Sequence, residues 1–175
     1  NALTVISISI GQGEVTSTPL QIANLAATIA NRGHFYVPHV VHSVQGERID
    51  TTYTNMRRTK VDRRYYNYAV AGMRRAVEQG TCRGADFPGV QVCGKTGTAQ
   101  NRGHDHSAFM GFAPMNNPKI AVCVYVENGG FGADFAVPIG SLIMEQYVNG
   151  KLSASSEIKA NTFQHRHISY GRQAR

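Results

Sequence analysis

No run of about 18 apolar residues occurs in the 175-residue sequence, which excludes a membrane-spanning helix within it. Nor does the sequence open like a secretion signal, because Asn1-Ala2-Leu3-Thr4-Val5 carries no basic residue ahead of an apolar core. A start at Asn rather than Met fits a piece of a longer protein or a processed one. Cysteine is scarce. Cys82, Cys93 and Cys123 are spaced neither as a metal knuckle nor as a redox pair. Cys93 and Cys123 sit in apolar, strand-like runs where a small buried thiol is expected. Cys82 has the option of pairing with either in an oxidising compartment. Acidic side chains are few, 11 against 18 lysines and arginines, for a net charge of +7. Such a balance fits nucleic acid, acidic lipid or an anionic substrate. The basic residues fall in Arg57-Arg58-Thr59-Lys60, Arg63-Arg64, Arg74-Arg75 and the tail, with no aromatic-basic stripe to stack bases. Solvated basic faces are therefore expected, and no nucleic-acid partner. Repeats and linkers are absent, and 42% hydrophobic with 17% charged residues is ordinary for one globular domain.

What is present reads as alternating helices and strands. Ile6-Ser7-Ile8-Ser9-Ile10 alternates like a half-buried strand, and Gly11-Gln12-Gly13 breaks it. Thr18 is an N-cap, Pro19 suits the first turn, and Gln21 completes a capping box. Ile22, Leu25, Ala26 and Ile29 make the apolar stripe of that helix, and Asn31-Arg32-Gly33 ends it. Residues 37–60 read as extended, with a turn near Gln45-Gly46-Glu47. A second helix starts near Asp62, turns Tyr66, Ala69, Val70, Met73 and Val77 inward, and ends by Gly80. Three strands follow: Val90 to Ala99, Ser107 to Ala113, and Ile120 to Val126. The turn Pro114-Met115-Asn116-Asn117-Pro118 makes the last two antiparallel neighbours. A closing helix begins near Ala136, with Ile139, Leu142, Ile143 and Tyr147 on one side, and stops at Gly150. The predicted organisation is one domain over residues 1–150 and a polar, basic, aperiodic tail over 151–175, flexible or loosely attached.

One motif misleads. Gly89-Val90-Gln91-Val92-Cys93-Gly94-Lys95-Thr96 satisfies the phosphate-loop pattern of NTPases. That loop needs a buried strand before its first Gly, and here Asp86-Phe87-Pro88 stands there. It needs a helix starting at the Lys, so that its N-terminus faces the anion, and here Gly97 follows Thr96. Val90, Gln91 and Val92 alternate like a strand instead. Read as a strand, Lys95-Thr96-Gly97-Thr98 puts Thr96 and Thr98 on one face. Two hydroxyls with a nearby ammonium can hold a carboxylate. Gly97 lets another backbone approach, and an exposed edge here can take an extended peptide by strand addition. An ordinary strand with one Gly is the plainer reading of those four residues taken alone.

Their surroundings favour the first reading. Lys-Thr-Gly is one of three signatures of penicillin-interacting serine enzymes. Ile10-Gly11-Gln12-Gly13 with Thr18-Pro19-Leu20-Gln21-Ile22-Ala23 resembles the segment between the second and third signatures. Gly72-Met73-Arg74 through Gly80-Thr81 resembles the helix leading to the third. Asp105-His106-Ser107-Ala108-Phe109-Met110-Gly111-Phe112-Ala113-Pro114, Val126-Glu127-Asn128-Gly129-Gly130 and Ala136-Val137-Pro138-Ile139 resemble the elements after it. In this order the sequence is similar to class B penicillin-binding proteins of the cell-elongation kind, up to about residue 150.

The resemblance implies an α+β fold, an antiparallel sheet flanked by helices, forming the C-terminal part of a penicillin-binding, β-lactamase-like transpeptidase domain. It implies a peptidoglycan D,D-transpeptidase that cross-links stem peptides through a serine acyl-enzyme and is acylated by β-lactams. Such an enzyme is held at the periplasmic face of the bacterial inner membrane by an N-terminal helix, which this chain lacks. It works with a cell-elongation glycosyltransferase and scaffold proteins. Lys95 then supplies charge, Thr96 and Thr98 bind the substrate carboxylate, Gly97 keeps the cleft open, and the Thr98 N–H is an oxyanion donor. No cofactor or metal is implied. His104-Asp105-His106 offers too few ligands for a metal clip. His34, His39 and His42 read as surface or satisfied residues.

The sequence also departs from the family. Its one S-x-x-K, Ser156-Glu157-Ile158-Lys159, follows Lys-Thr-Gly instead of preceding it and lies in the polar tail, so it reads as a chance match. S-x-N has no counterpart. The nucleophile is therefore expected to lie outside this chain, leaving the isolated chain inactive and some apolar faces uncovered. The alternative is a non-catalytic module presenting an edge strand to peptidoglycan or a protein. An upstream S-x-x-K and S-x-N would decide for the enzyme.

Overall fold

The Thr18 signal is used as read. Its hydroxyl accepts the Gln21 N–H at 3.2 Å and the Gln21 side chain accepts the Thr18 N–H at 2.8 Å, so both halves of the capping box close. The computed structural model describes residues 2–168. In chain order the helices are α1 (Ala2–Ser9), α2 (Pro19–Ala30), α3 (Thr51–Thr54), α4 (Arg63–Glu78), α5 (Ala136–Asn149) and α6 (Ala154–Gln164). The strands are β1 (His34–Phe35), β2 (Arg57–Arg58), β3 (Cys93–Ala99), β4 (His106–Ala113) and β5 (Ile120–Val126), and a 3-10 turn spans Arg83–Ala85. Strands β3, β4 and β5 form one antiparallel sheet in that order, and β1 pairs with β2 in a separate two-stranded sheet. The architecture is α+β, an antiparallel sheet flanked by helices.

Strand alternation sends side chains to two cores. On one face Phe109, Ala113 and Val122 pack with Ala136, Val137 and Met144 of α5 and with Val77, Cys82 and Ala85. On the other, Cys93 and Phe112 pack with Ala30 of α2 and with Val70 and Met73 of α4. Phe109 occupies a socket of glycines. A Cβ on Gly94 or Gly140 would stand 2.5 Å from its ring, and one on Gly111 2.7 Å. The Cys82, Cys93 and Cys123 thiols are all free. Cys82 and Cys93 lie in opposite cores, which separates them. Burial pushes the Cys93 thiol up to about 11.

Several expectations need correction. Residues Ile6 to Ile10 do not form a strand. Ala2–Ser9 is a helix with no buried residue. Period-two alternation favours a strand only where a neighbouring strand and a core receive it, and among the described residues no strand pairs with these. The stretch 37–60 holds the helix α3 and the short β2, as well as the turn bridged by Val44 and Glu47. In α2 the buried residues are Ala26, Thr28 and Ala30, while Leu25 is exposed. In α4 the inward set holds except for exposed Ala69. In α5 the side that carries Ile139, Leu142, Ile143 and Tyr147 is not the buried one. The helix buries Ala136, Val137, Gly140, Ser141, Met144 and Glu145, and leaves Tyr147 63% exposed. Close approach to Phe109 demands a glycine at 140, so at that point volume decides what faces the sheet.

The segment after Gly150, though polar and without apolar periodicity, contains a helix, α6 over Ala154–Gln164. The Ser153 N–H donates to Glu145 Oε1 at 3.0 Å, and Lys159 Nζ donates to the Gly84 carbonyl at 3.2 Å. Burial raises the Glu145 pKa, but Ser156, Ser153 and the Lys159 charge outweigh it and hold the carboxyl below the usual glutamate range. Beyond α6 the Arg166 guanidinium lies 4.2 Å from the Phe135 ring and 4.9 Å from the Phe163 ring. These contacts were hidden in the sequence because they join α6 to residues of α5 and the 3-10 turn. Residues 169–175 of the expected tail lie outside the described residues.

Candidate active site

Among the described residues the sheet ends on β3, and no other strand among them lies along its outer edge. Lys95 pairs with Met110, Thr96 with Phe109, Gly97 with Ala108 and Thr98 with Ser107. No helix begins at Lys95, which removes the phosphate-loop reading. Thr96 and Thr98 share the face of Phe109 and Ser107, as alternation requires. Lys95 leaves from the other face. Its ammonium returns to the edge, where Nζ donates to the Thr96 carbonyl at 2.6 Å. The Thr98 carbonyl also points away from β4, and accepts the Gln12 side-chain amide at 2.9 Å. In an antiparallel strand the N–H and C=O of one residue point the same way. The Thr98 N–H therefore shares that free edge.

The edge is electropositive and rich in donors. Lys95 is exposed and has no ion-pair partner among the described residues. Thr96 Oγ1 lies 2.7 Å from Thr81 Oγ1. The buried Cys82 thiol sits beside Thr96, Thr81 and Lys95. Burial raises its pKa against the lowering effect of those neighbours. A groove of about 470 Å³ opens beside Gly97 and Thr98, walled by Gly11, Val15, Pro19, Ile22 and Tyr125. Gly97 leaves room there, since a Cβ would meet only the Ala108 Cβ, at 3.4 Å. The tight backbone approach expected at Gly97 is made by Gly132, where a Cβ would lie 2.8 Å from the Gly97 carbonyl oxygen. Convergent N–H, O–H and ammonium donors suit a carboxylate and a developing oxyanion. Nucleophilic attack needs a further group.

Ser156 does not supply it. It is 2% exposed on α6, and Lys159 is engaged with Gly84. His104 and Asp105 stay in the loop before β4, and the His106 ring accepts the Asn128 N–H at 2.9 Å. Among the described residues no three His, Cys, Asp or Glu side chains gather as metal ligands. Sequence reasoning missed two groups at the edge, Gln12 and Thr81. Gln12 was legible only as part of a break. The signal was the glycine on each side, because Gly11 at φ +78° and Gly13 at φ +93° hold the turn that aims it.

This arrangement has close relatives. The family model of the penicillin binding protein transpeptidase domain matches residues 3–145. The peptidoglycan D,D-transpeptidase MrdA of Acinetobacter baumannii is 38% identical over 157 residues, covering 77% of this chain and 23% of that protein. The crystal structure of Pseudomonas aeruginosa PBP2 in complex with WCK 5153 is 35% identical, with a TM-score of 0.73 over 87% of this chain and 34% of that one. The ceftriaxone acyl-enzyme of Mycobacterium tuberculosis penicillin-binding protein A is 34% identical, with a TM-score of 0.70 over 81% of this chain and 35% of that one. The chain thus spans about a quarter of the length of the MrdA relative. With the match running through both cores and the donor-lined edge of β3, the chain belongs to the penicillin-binding protein transpeptidase domain family.

Proposed function

We propose that the chain is the C-terminal half of the catalytic domain of a peptidoglycan D,D-transpeptidase, and that its β3 edge binds and polarises the substrate. A serine supplied by the rest of the enzyme attacks the stem-peptide carbonyl, or a β-lactam carbonyl, and forms the acyl-enzyme. Thr96 and Thr98 donate their hydroxyl protons to the ligand carboxylate. Lys95 supplies positive charge beside it. The Thr98 N–H donates to the carbonyl oxygen as negative charge develops there, and one such donor is worth about 3 kcal/mol in other acyl-transfer enzymes. Gly97 keeps the adjoining groove open. The parent enzyme works at the periplasmic face of the inner membrane, held by an N-terminal helix, alongside a cell-elongation glycosyltransferase and scaffold proteins.

One coincidence carries this reading. The family match over residues 3–145 includes a Lys-Thr-Gly-Thr strand whose outer edge has no neighbouring strand among the described residues. Fluorescent penicillin tests it. The full-length protein is expected to label covalently and to lose the label after prior treatment with unlabelled penicillin. The isolated 175-residue chain is expected to stay unlabelled. A full-length protein that never labels would overturn the proposal, and so would an isolated chain that does.

A further inference from the structure

Thr81 touches the β3 edge from a rigid corner. The chain leaves α4 with the Gly80 N–H and the Cys82 N–H both donating to the Ala76 carbonyl, at 3.1 and 3.0 Å. The Ala85 N–H then donates to the Cys82 carbonyl at 2.8 Å, and Cys82 and Ala85 are fully buried. Arg83 ties the corner down again by donating to the Gly80 carbonyl at 3.3 Å and the Gln79 carbonyl at 3.2 Å. Gly80 is sterically required, since a Cβ would stand 2.9 Å from both Ala76 Cα and Ala76 O. Thr81 is exposed on this anchored corner, and its Oγ1 lies 2.7 Å from Thr96 Oγ1.

Hydroxyl bookkeeping sets the direction of that bond. A hydroxyl has one proton to give and lone pairs with which to accept. If Thr96 gives its proton to a carboxylate, the bond to Thr81 survives only with Thr81 as donor. We propose, building on the function above, that Thr81 is a positioning residue: its O–H donates to Thr96 Oγ1 and fixes the Thr96 proton on the ligand carboxylate. The chain Thr81 to Thr96 to carboxylate also polarises cooperatively. Both side chains are β-branched and stiff at χ1, so the alignment is built before the ligand arrives.

The test compares wild type, Thr81→Val and Thr81→Ser in the full-length enzyme. The readout is the second-order rate of acylation by a penicillin and by the methyl ester of the same penicillin. With the free acid, Thr81→Val is expected to be about tenfold slower, and Thr81→Ser to stay within about twofold of wild type. The ester has no carboxylate for Thr96 to hold, so its slow reaction is expected to be alike in all three. Equal rates for wild type and Thr81→Val on the free acid would overturn the inference and leave the proposed function standing. A loss of equal size on acid and ester would also overturn it, since that marks a scaffold effect. A wild-type enzyme that fails to acylate would instead sink the proposed function itself.

Discussion

Replacing Thr98 by proline in the full-length enzyme is expected to slow penicillin acylation about 10²–10³-fold, the loss found when one oxyanion donor is removed elsewhere. Proline deletes the N–H together with the Thr98 hydroxyl and keeps the carbonyl, so the contact from Gln12 to the Thr98 oxygen survives. The substitution is tolerable for folding because the Thr98 N–H faces outward from β3, and proline is accepted on edge strands where no ladder bond is lost. Thr98→Val separates the two roles of the residue. It keeps the N–H and loses only the hydroxyl, so it is expected to weaken carboxylate binding by about tenfold. Stopped-flow acylation with a chromogenic cephalosporin measures both variants. A Thr98→Pro enzyme no slower than Thr98→Val would remove the oxyanion role from this position.

The second large effect concerns stability. Phe109→Ala is expected to cost about 3–5 kcal/mol, comparable to the whole stability of many domains. Phe109 is 1% exposed and shares its core with α5, the 3-10 turn and the end of α4. Its ring is enclosed by positions where any side chain would collide. On the glycine side nothing can swing in to fill the void, because Gly94, Gly111 and Gly140 have no side chains to move. The socket also predicts the converse. Gly140→Ala overfills it and is expected to cost about 1–3 kcal/mol. Urea unfolding of the full-length protein, followed at the transpeptidase domain, checks both. A Phe109→Ala cost below about 1 kcal/mol would mean the socket collapses freely.

That socket also explains which parts of the fold could be read from the sequence. Strands β4 and β5 were legible because each carries a run of apolar residues bounded by turn residues. The α2 start was legible because a capping box is local, spanning Thr18 to Gln21. The buried face of α5 was not legible, because its sequence shows large apolar residues at helical spacing on the other side. The face toward the sheet is set by a phenylalanine on β4 that needs Gly140 opposite it. No periodicity within the helix carries that information. Helix α1 was misread because alternation specifies a strand only together with a partner, and none is paired with it.

The site divides in the same way. Lys95, Thr96, Gly97 and Thr98 are contiguous, so their motif and alternation were readable directly. Gln12 lies 86 positions from the carbonyl it binds, and Thr81 lies 15 from the hydroxyl it meets. Neither pairing leaves a local pattern. The face of Lys95 was only half legible. Alternation puts it opposite the threonines, and the length of the side chain brings its ammonium back to the edge.

The central proposal is that the chain holds and polarises the substrate without attacking it. The most direct measurement is peptide mapping by mass spectrometry of the full-length protein after saturation with penicillin. The adduct is expected on a single serine outside these 175 residues, within an S-x-x-K, with Ser156 unmodified. An adduct on Ser156, or on any other residue of this chain, would contradict it.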